Sequence, residues 1–167
     1  MDLPRGADDA VTALFAAHYP GLVRFAVLLV GDTATAEDLA QDAFVRLHRR
    51  WRWIRDTDRA LPYLRTAVLN GARSRGRRSA VERRHRPPSA PPSSSAEELA
   101  LLSEEHREVL ALLDTLPSRQ REVIVLRYWL DLSEAEIART LDISPGTVKS
   151  SASRALAALS RGMGVRS

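Results

Sequence analysis

The 167-residue chain contains no cysteine, which excludes disulfides, thiolate zinc sites and thiol redox sensing. Its four histidines, His18, His48, His85 and His106, are scattered and show no i, i+4 pair of the kind that grips a metal. No P-loop or GxGxxG occurs, and Gly162-Met163-Gly164 is only a tail fragment. The acidic pairs Glu97-Glu98 and Glu104-Glu105 are neighbours in sequence, which on a helix points them apart. These residues assemble no nucleophile, base or metal cage, so the reading is a protein that is not an enzyme and holds no metal and no cofactor. A long apolar run is lacking too. The most apolar stretch, residues 22–30, is shorter than a bilayer span and contains Arg24. The opening MDLPRGADDA lacks the basic-then-apolar pattern of a signal peptide. The expectation is a cytoplasmic protein with no membrane insertion.

Lysine is nearly absent as well: Lys149 stands alone among 25 basic residues, the other 24 being arginine. The formal net charge of +4 conceals an uneven distribution. Residues 46–86 hold 14 arginines against Asp56, Asp58 and Glu82, a local balance of +11, which leaves −7 for the rest. Such a block is either a solvated face or a footprint for a polyanion, since phosphate neutralisation dominates nucleic-acid affinity.

Periodicity predicts helices throughout. Residues 9–30 read as a helical pair around Tyr19-Pro20-Gly21, with Val11, Leu14, Phe15, Leu22, Phe25, Ala26 and Leu29 as core and Gly31 as the stop. Next, Ala36, Leu39, Ala40, Ala43, Phe44, Leu47 and Trp51 keep one face of a long amphipathic helix. Its other face runs from Glu37, Asp38, Gln41 and Asp42 to Arg46, Arg49 and Arg50. That order complements the helix dipole, and it equally suits a protein-docking surface.

After a turn at Asp56-Thr57-Asp58, Leu61-Pro62 opens a helix over 61–78, with Leu64, Ala67, Val68 and Gly71 on one side. Tyr63, Thr66, Asn70, Arg73, Ser74 and Arg77 share the other. An aromatic, an amide, a hydroxyl and arginines in one stripe can stack on an exposed base, bond base edges and grip phosphates. From Ser79 the composition turns to proline and serine, too poor in apolar groups to repay ordering. We therefore divide the chain into a helical domain over 1–80, a flexible linker over 81–98 and a second helical domain over 99–167. In the latter, Val109, Leu110, Leu113 and Leu116 form one face and Val123, Ile124, Leu126 and Leu130 the next.

Residues 132–159 read as two helices joined by a tight turn. Ser133 and Glu136 make a capping box, and Leu132, Ile137 and Leu141 give the first helix its apolar side. Ser144-Pro145 restarts a helix with a hydroxyl N-cap and a proline at its first position. Val148, Ala152, Ala155, Leu156 and Leu159 form its buried stripe, leaving Thr147, Lys149, Ser150, Ser153 and Arg154 outward. Hydroxyls and cations on a slender helix suit the major groove, which makes this a helix-turn-helix with its second helix as reader. A helical hairpin with a solvated outer face has the same pattern.

LPSRQREVIVLRYWLDLSEAEIARTLDISPGTVKSSASRAL closely resembles region 4 of extracytoplasmic-function sigma factors of the sigma-70 family. AEDLAQDAFVRLH and YLRTAVLNGARSRGRR resemble their region 2, and the wording is most similar to the SigE-type subgroup of high-GC actinomycetes. The resemblance implies an all-α protein of two small domains, sigma region 2 and a region 4 helix-turn-helix, on a flexible linker. It implies core RNA polymerase and promoter DNA as partners, with an anti-sigma factor as a frequent third. Carried onto this chain, Asp38, Gln41, Asp42 and Phe44 match the polymerase-docking helix. Tyr63, Thr66, Asn70, Arg73 and Arg77 match the reader of the −10 element, and the stretch 56–61 the loop that captures a flipped base. Lys149, Ser150, Ser153 and Arg154, with Thr147 beside them, match the −35 contacts. Tyr63 stands where the family usually has tryptophan, Ser74 where it often has aspartate, and Ser151 where a basic residue is common. A stand-alone helix-turn-helix regulator is the alternative from another class. It would need a dimerisation face, which the sequence does not display.

Overall fold

The computed structural model describes residues 6–85 and 103–164, and every regular element among them is helical. They fall into two compact units divided between Ser93 and Ser94.

The first unit is three helices, α1 (Ala7–Val30), α2 (Thr33–Ile54) and α3 (Thr57–His85), each packed on the other two. α1 is one continuous helix in place of the expected pair, with Pro20 inside it. A proline there forfeits one backbone hydrogen bond, and the burial of Leu14, Leu22, Phe25 and Ala26 on either side of it supports the helix through that gap. With 24 residues and high hydropathy, α1 is long and apolar enough to cross a membrane. It nevertheless carries Asp8, Asp9 and Arg24 and lays its buried stripe on α2 and α3 as a core helix. Gly31 stops α1 in the left-handed region, at φ 81°, and its N–H donates to the Val27 carbonyl.

Asp32 then caps α2 by accepting from the Thr35 N–H at 3.2 Å. Of the predicted stripe, Ala36, Leu39, Ala40, Ala43, Phe44 and Leu47 are buried and Trp51, at its end, is half-buried. Each such leucine or phenylalanine contributes roughly 1.5–3 kcal/mol by leaving water. α3 starts four residues before the expected Leu61, because the Asp56 carboxylate accepts from the Asp58 N–H at 2.9 Å and its carbonyl from the Arg59 N–H at 3.1 Å. Only Arg55 and Asp56 separate α2 from α3, so most of the stretch read as a loop is the first turn of a helix. α3 also continues to His85, into the stretch read as linker. Arg77, Arg78 and Arg84 near its end are exposed, and arginine, a good helix former, extends a helix without a core partner. The rest of the expected linker lies outside the described residues.

The second unit contains α4 (Glu104–Asp114), α5 (Ser118–Ile124), α6 (Glu134–Leu141) and α7 (Pro145–Gly164). Its core holds Leu110, Leu113, Leu116, Val123, Leu126, Ile137, Leu141, Val148 and Ala155. Val109, expected there, is exposed. α5 passes directly into a wider π-helical turn over Val125–Trp129, closed by the Leu130 N–H donating to the Val125 carbonyl. Arg121 is buried within 3.5 Å of Asp114. Burial pushes its pKa below the usual arginine value, and the Asp114 carboxylate pulls it back up.

Candidate nucleic-acid interface

The helix-turn-helix is built by local hydrogen bonds at each of its corners. Ser133 accepts from the Glu136 N–H at 3.2 Å, and the Glu136 carboxylate accepts from the Ser133 N–H at 2.7 Å. This reciprocal box fixes the first residue of α6. At the other end Asp142 takes the left-handed conformation, φ 54°. Its N–H reaches the Arg139 carbonyl, while the Ile143 N–H reaches that of Ala138 at 3.0 Å. That pair of bonds is a Schellman stop, with aspartate where glycine is usual. Ser144 then caps α7 by accepting from the Thr147 N–H at 3.1 Å. The turn between α6 and α7 is therefore Asp142-Ile143-Ser144, the three residues expected.

α7 buries Val148, Ser151, Ala152 and Ala155 against the rest of its unit. The observed stripe differs from the expected one. Leu156 is exposed and Leu159 half-buried, whereas Ser151 is buried. At 3.6 residues per turn Leu156 lies about 80° from Val148, at the stripe's edge, and Ser151 about 60° away on the opposite side. Ser151 thus packs inward, at a position where the family commonly carries a cation.

Thr147, Lys149, Ser150, Ser153 and Arg154 all stand exposed on one side of α7, as expected. Their hydroxyls are not equally available. Ser150 donates to the Thr147 carbonyl at 3.1 Å, which leaves its oxygen able to accept but not to donate. Thr147 shares a 2.8 Å hydrogen bond with Ser144. Lys149 lies 3.8 Å from the Glu134 carboxylate of α6, a partner that sequence reasoning missed because the two belong to different helices.

In the first unit, Asn70 and Arg77 are exposed on α3, and Tyr63, Thr66, Arg73 and Ser74 are half-buried along the same helix. Tyr63 also lines a shallow depression of about 290 Å³ with Arg46, Arg49 and Arg50 of α2. Those three arginines occur at i, i+3 and i+4, a spacing at which like charges repel. Sequence reasoning placed them on a face that suits the helix dipole and a protein-docking surface equally. Their convergence on an aromatic ring is a tertiary fact, created by the crossing of α2 and α3.

Asp38, Gln41 and Asp42 are exposed on α2. Asp38 pairs with Arg75 of α3 at 3.5 Å, and Gln41 donates to the Tyr19 hydroxyl at 3.3 Å. Phe44 differs from its matched role as a docking residue: only 4% exposed, it meets the Phe15 ring at 5.0 Å, edge to face. Phe15 in turn stacks on Tyr19 at 4.4 Å. Phe44 therefore supports that face from beneath, because its position on the apolar stripe turns it into the core.

Described residues whose regular elements are all helical, with a helix-turn-helix in one unit and a basic, aromatic-bearing helix in the other, define a DNA-binding transcription protein. Sequence comparison agrees unit by unit: the profile described as sigma-70 region 2 matches residues 14–81, and that of sigma-70 region 4 matches residues 106–159. The RNA polymerase sigma-E factor of Streptomyces avermitilis is 37% identical over 138 residues, 83% of this chain and 76% of that protein. The ECF RNA polymerase sigma factor SigL of Mycobacterium tuberculosis is 32% identical over 152 residues, covering 88% and 85%. Among solved structures, CnrH in complex with the cytosolic domain of CnrY is 26% identical with a TM-score of 0.70, covering 96% of each chain. The sigma factor RpoE, bound to the anti-sigma factor NepR from Bartonella quintana, has the same fold, with a TM-score of 0.73 at 23% identity over 92% of this chain and 96% of that one. The chain belongs to the sigma-70 family, as an RNA polymerase sigma factor of the extracytoplasmic-function type.

Proposed function

We propose that this sigma factor binds core RNA polymerase through the exposed Asp38, Gln41 and Asp42 face of α2, reads the −35 element with α7, and reads the −10 element with α3. One observation carries the reading: a single chain offers two separate DNA-suited surfaces, each with its own core. On α7, Lys149 and Arg154 reach guanine edges or phosphates, and Ser150, with its donor already used, accepts from an adenine or cytosine amino group. On α3, Asn70 bonds a base edge while Tyr63 stacks, and the arginines around that ring hold the strand's phosphates. The protein acts in the cytoplasm and performs no reaction of its own. The complexes of RpoE with NepR and of CnrH with CnrY support a further partner, an inhibitory protein that covers one or both units until a signal releases it.

The deciding experiment is run-off transcription from a fragment library of the source genome, with core enzyme alone and with this protein added. New start sites preceded by paired −35 and −10 sequences are the expected result. Tight operator binding by a dimer, with no added transcripts, is the signature of a self-sufficient repressor and overturns the proposal. Affinity purification of the protein from its native cells tests the inhibitor: a second protein accompanies it before induction, and recovery of polymerase alone under every condition removes that claim.

A further inference from the structure

The helix-turn-helix is electrically balanced. Residues 131–161 contain four acids, Asp131, Glu134, Glu136 and Asp142, and four bases, Arg139, Lys149, Arg154 and Arg161. A module meant to lie on a polyanion gains little from that sum, so the placement of each charge decides its affinity. Glu136 is committed to the capping box, and Asp142 is the left-handed stop of α6. Glu134 does neither. It is the first residue of α6, half-buried, with its carboxylate 3.8 Å from the ammonium of Lys149 on α7. In a helix-turn-helix the first helix crosses the DNA backbone, and a helix N-terminus ordinarily attracts phosphate. Glu134 puts a negative charge at that end and draws to itself one of the two cations on the outer face.

We propose that Glu134 is a positioning residue for DNA recognition, which holds Lys149 across the helix-turn-helix so that DNA must displace the carboxylate before the lysine can engage. The inference rests on α7 being the DNA reader. A separation of 3.8 Å is longer than a tight charge-assisted hydrogen bond, and Lys149 remains mostly exposed. The pair is thus weak enough for a phosphate or a guanine edge to replace it. It penalises contacts that offer Lys149 little in return, and the stronger bidentate contact at a matched base recovers the loss.

Because Lys149 is the only lysine, a lysine-labelled sample of the full chain gives a single side-chain NMR signal that reports this group alone. The experiment titrates a mixed-sequence DNA duplex into the parent and into Glu134→Gln, after thermal melts have shown both folded. The substitution should move the Lys149 signal in the free protein, and the DNA-induced shift should reach its midpoint at about two- to fivefold less duplex, the range an exposed pair supports. Asp142→Asn removes an equal charge without touching Lys149, keeps a residue suited to the left-handed stop, and should leave the midpoint near that of the parent. A Lys149 signal that shifts with DNA at the same midpoint in parent and Glu134→Gln overturns the role of Glu134 while leaving α7 as the reader. Equal gains from Glu134→Gln and Asp142→Asn overturn it too, as a general charge effect. A Lys149 signal indifferent to DNA in every variant overturns both the role of Glu134 and the reading of α7.

Discussion

Arg75 of α3 reaches the Asp38 carboxylate of α2 at 3.5 Å, so the acidic face proposed to meet polymerase is tied to the basic helix proposed to meet DNA. The Asp38 side chain is 61% exposed and that of Arg75 39%, and a pair this open to solvent contributes about 0–1 kcal/mol. Asp38→Asn combined with Asp42→Lys is therefore expected to leave the thermal melt within a degree or two while weakening capture of core polymerase about tenfold or more. Pull-down against purified core enzyme measures it. Equal capture of parent and variant would remove α2 from the docking surface.

Asn70 is exposed near the middle of α3, between the buried Leu69 and the half-buried Gly71. Replacing it by alanine leaves the core untouched and raises helix propensity, so the fold should be retained. Loss of a bidentate amide contact to a base costs about 1–3 kcal/mol. Permanganate footprinting of an open promoter complex should show roughly ten- to a hundredfold less opening with Asn70→Ala at limiting holoenzyme. Opening equal to that of the parent protein would make the α3 stripe a solvated face.

Ser133 closes the box that starts α6, and α6 in turn positions Glu134 and the turn into α7. Ser133→Ala removes an N-cap acceptor and should cost about 1 kcal/mol. Amide hydrogen exchange is expected to quicken about fivefold in α6, with that of α1 unchanged because α1 belongs to the other unit. Uniform exchange in the variant and the parent would show that the cap contributes nothing to this helix.

The features legible in the sequence are those that one helix dictates to itself. The α2 stripe repeats with the helical period, and the box at Ser133 and the cap at Ser144 are local spacings, so their positions follow from residue order. Features that depend on a second helix were hidden. At Gly71 an added Cβ would come within 2.7 Å of Leu39 Cδ2, which makes the glycine a point of close approach between α3 and α2. Its place on the apolar side of the helix marks it for packing, but its partner follows only from the crossing of α2 and α3. Pro20 reads as a break because the local rule is strong, and the burial on either side of it overrides the rule. The π-helical turn over Val125–Trp129 leaves Tyr128 and Trp129 exposed while Val125 and Leu126 are buried, a change of phase that a search for a 3.6-residue period misses. The Glu134–Lys149 pair joins two helices across the turn and follows from neither alone.

Lys149 and Arg154 supply the cations of the exposed α7 face beside Thr147, Ser150 and Ser153. Each of the two can neutralise a phosphate or grip a guanine, and only the second act distinguishes one promoter from another. If both were phosphate contacts, Lys149→Ala with Arg154→Ala would depress initiation equally at every promoter, and added salt would reproduce the loss. If at least one reads a base, the loss concentrates on promoters that depend on their −35 sequence and exceeds what salt produces. The half-buried Glu134 partner favours the second outcome, because a lysine already paired gains less from an isolated phosphate than from a matched base edge. Run-off transcription with holoenzyme, on promoter pairs differing only in the −35 element, should show the double variant losing about tenfold or more on the matched member and much less on the scrambled one. An equal loss on both members would reduce α7 to a phosphate clamp. No loss on either would take the −35 contact away from this helix.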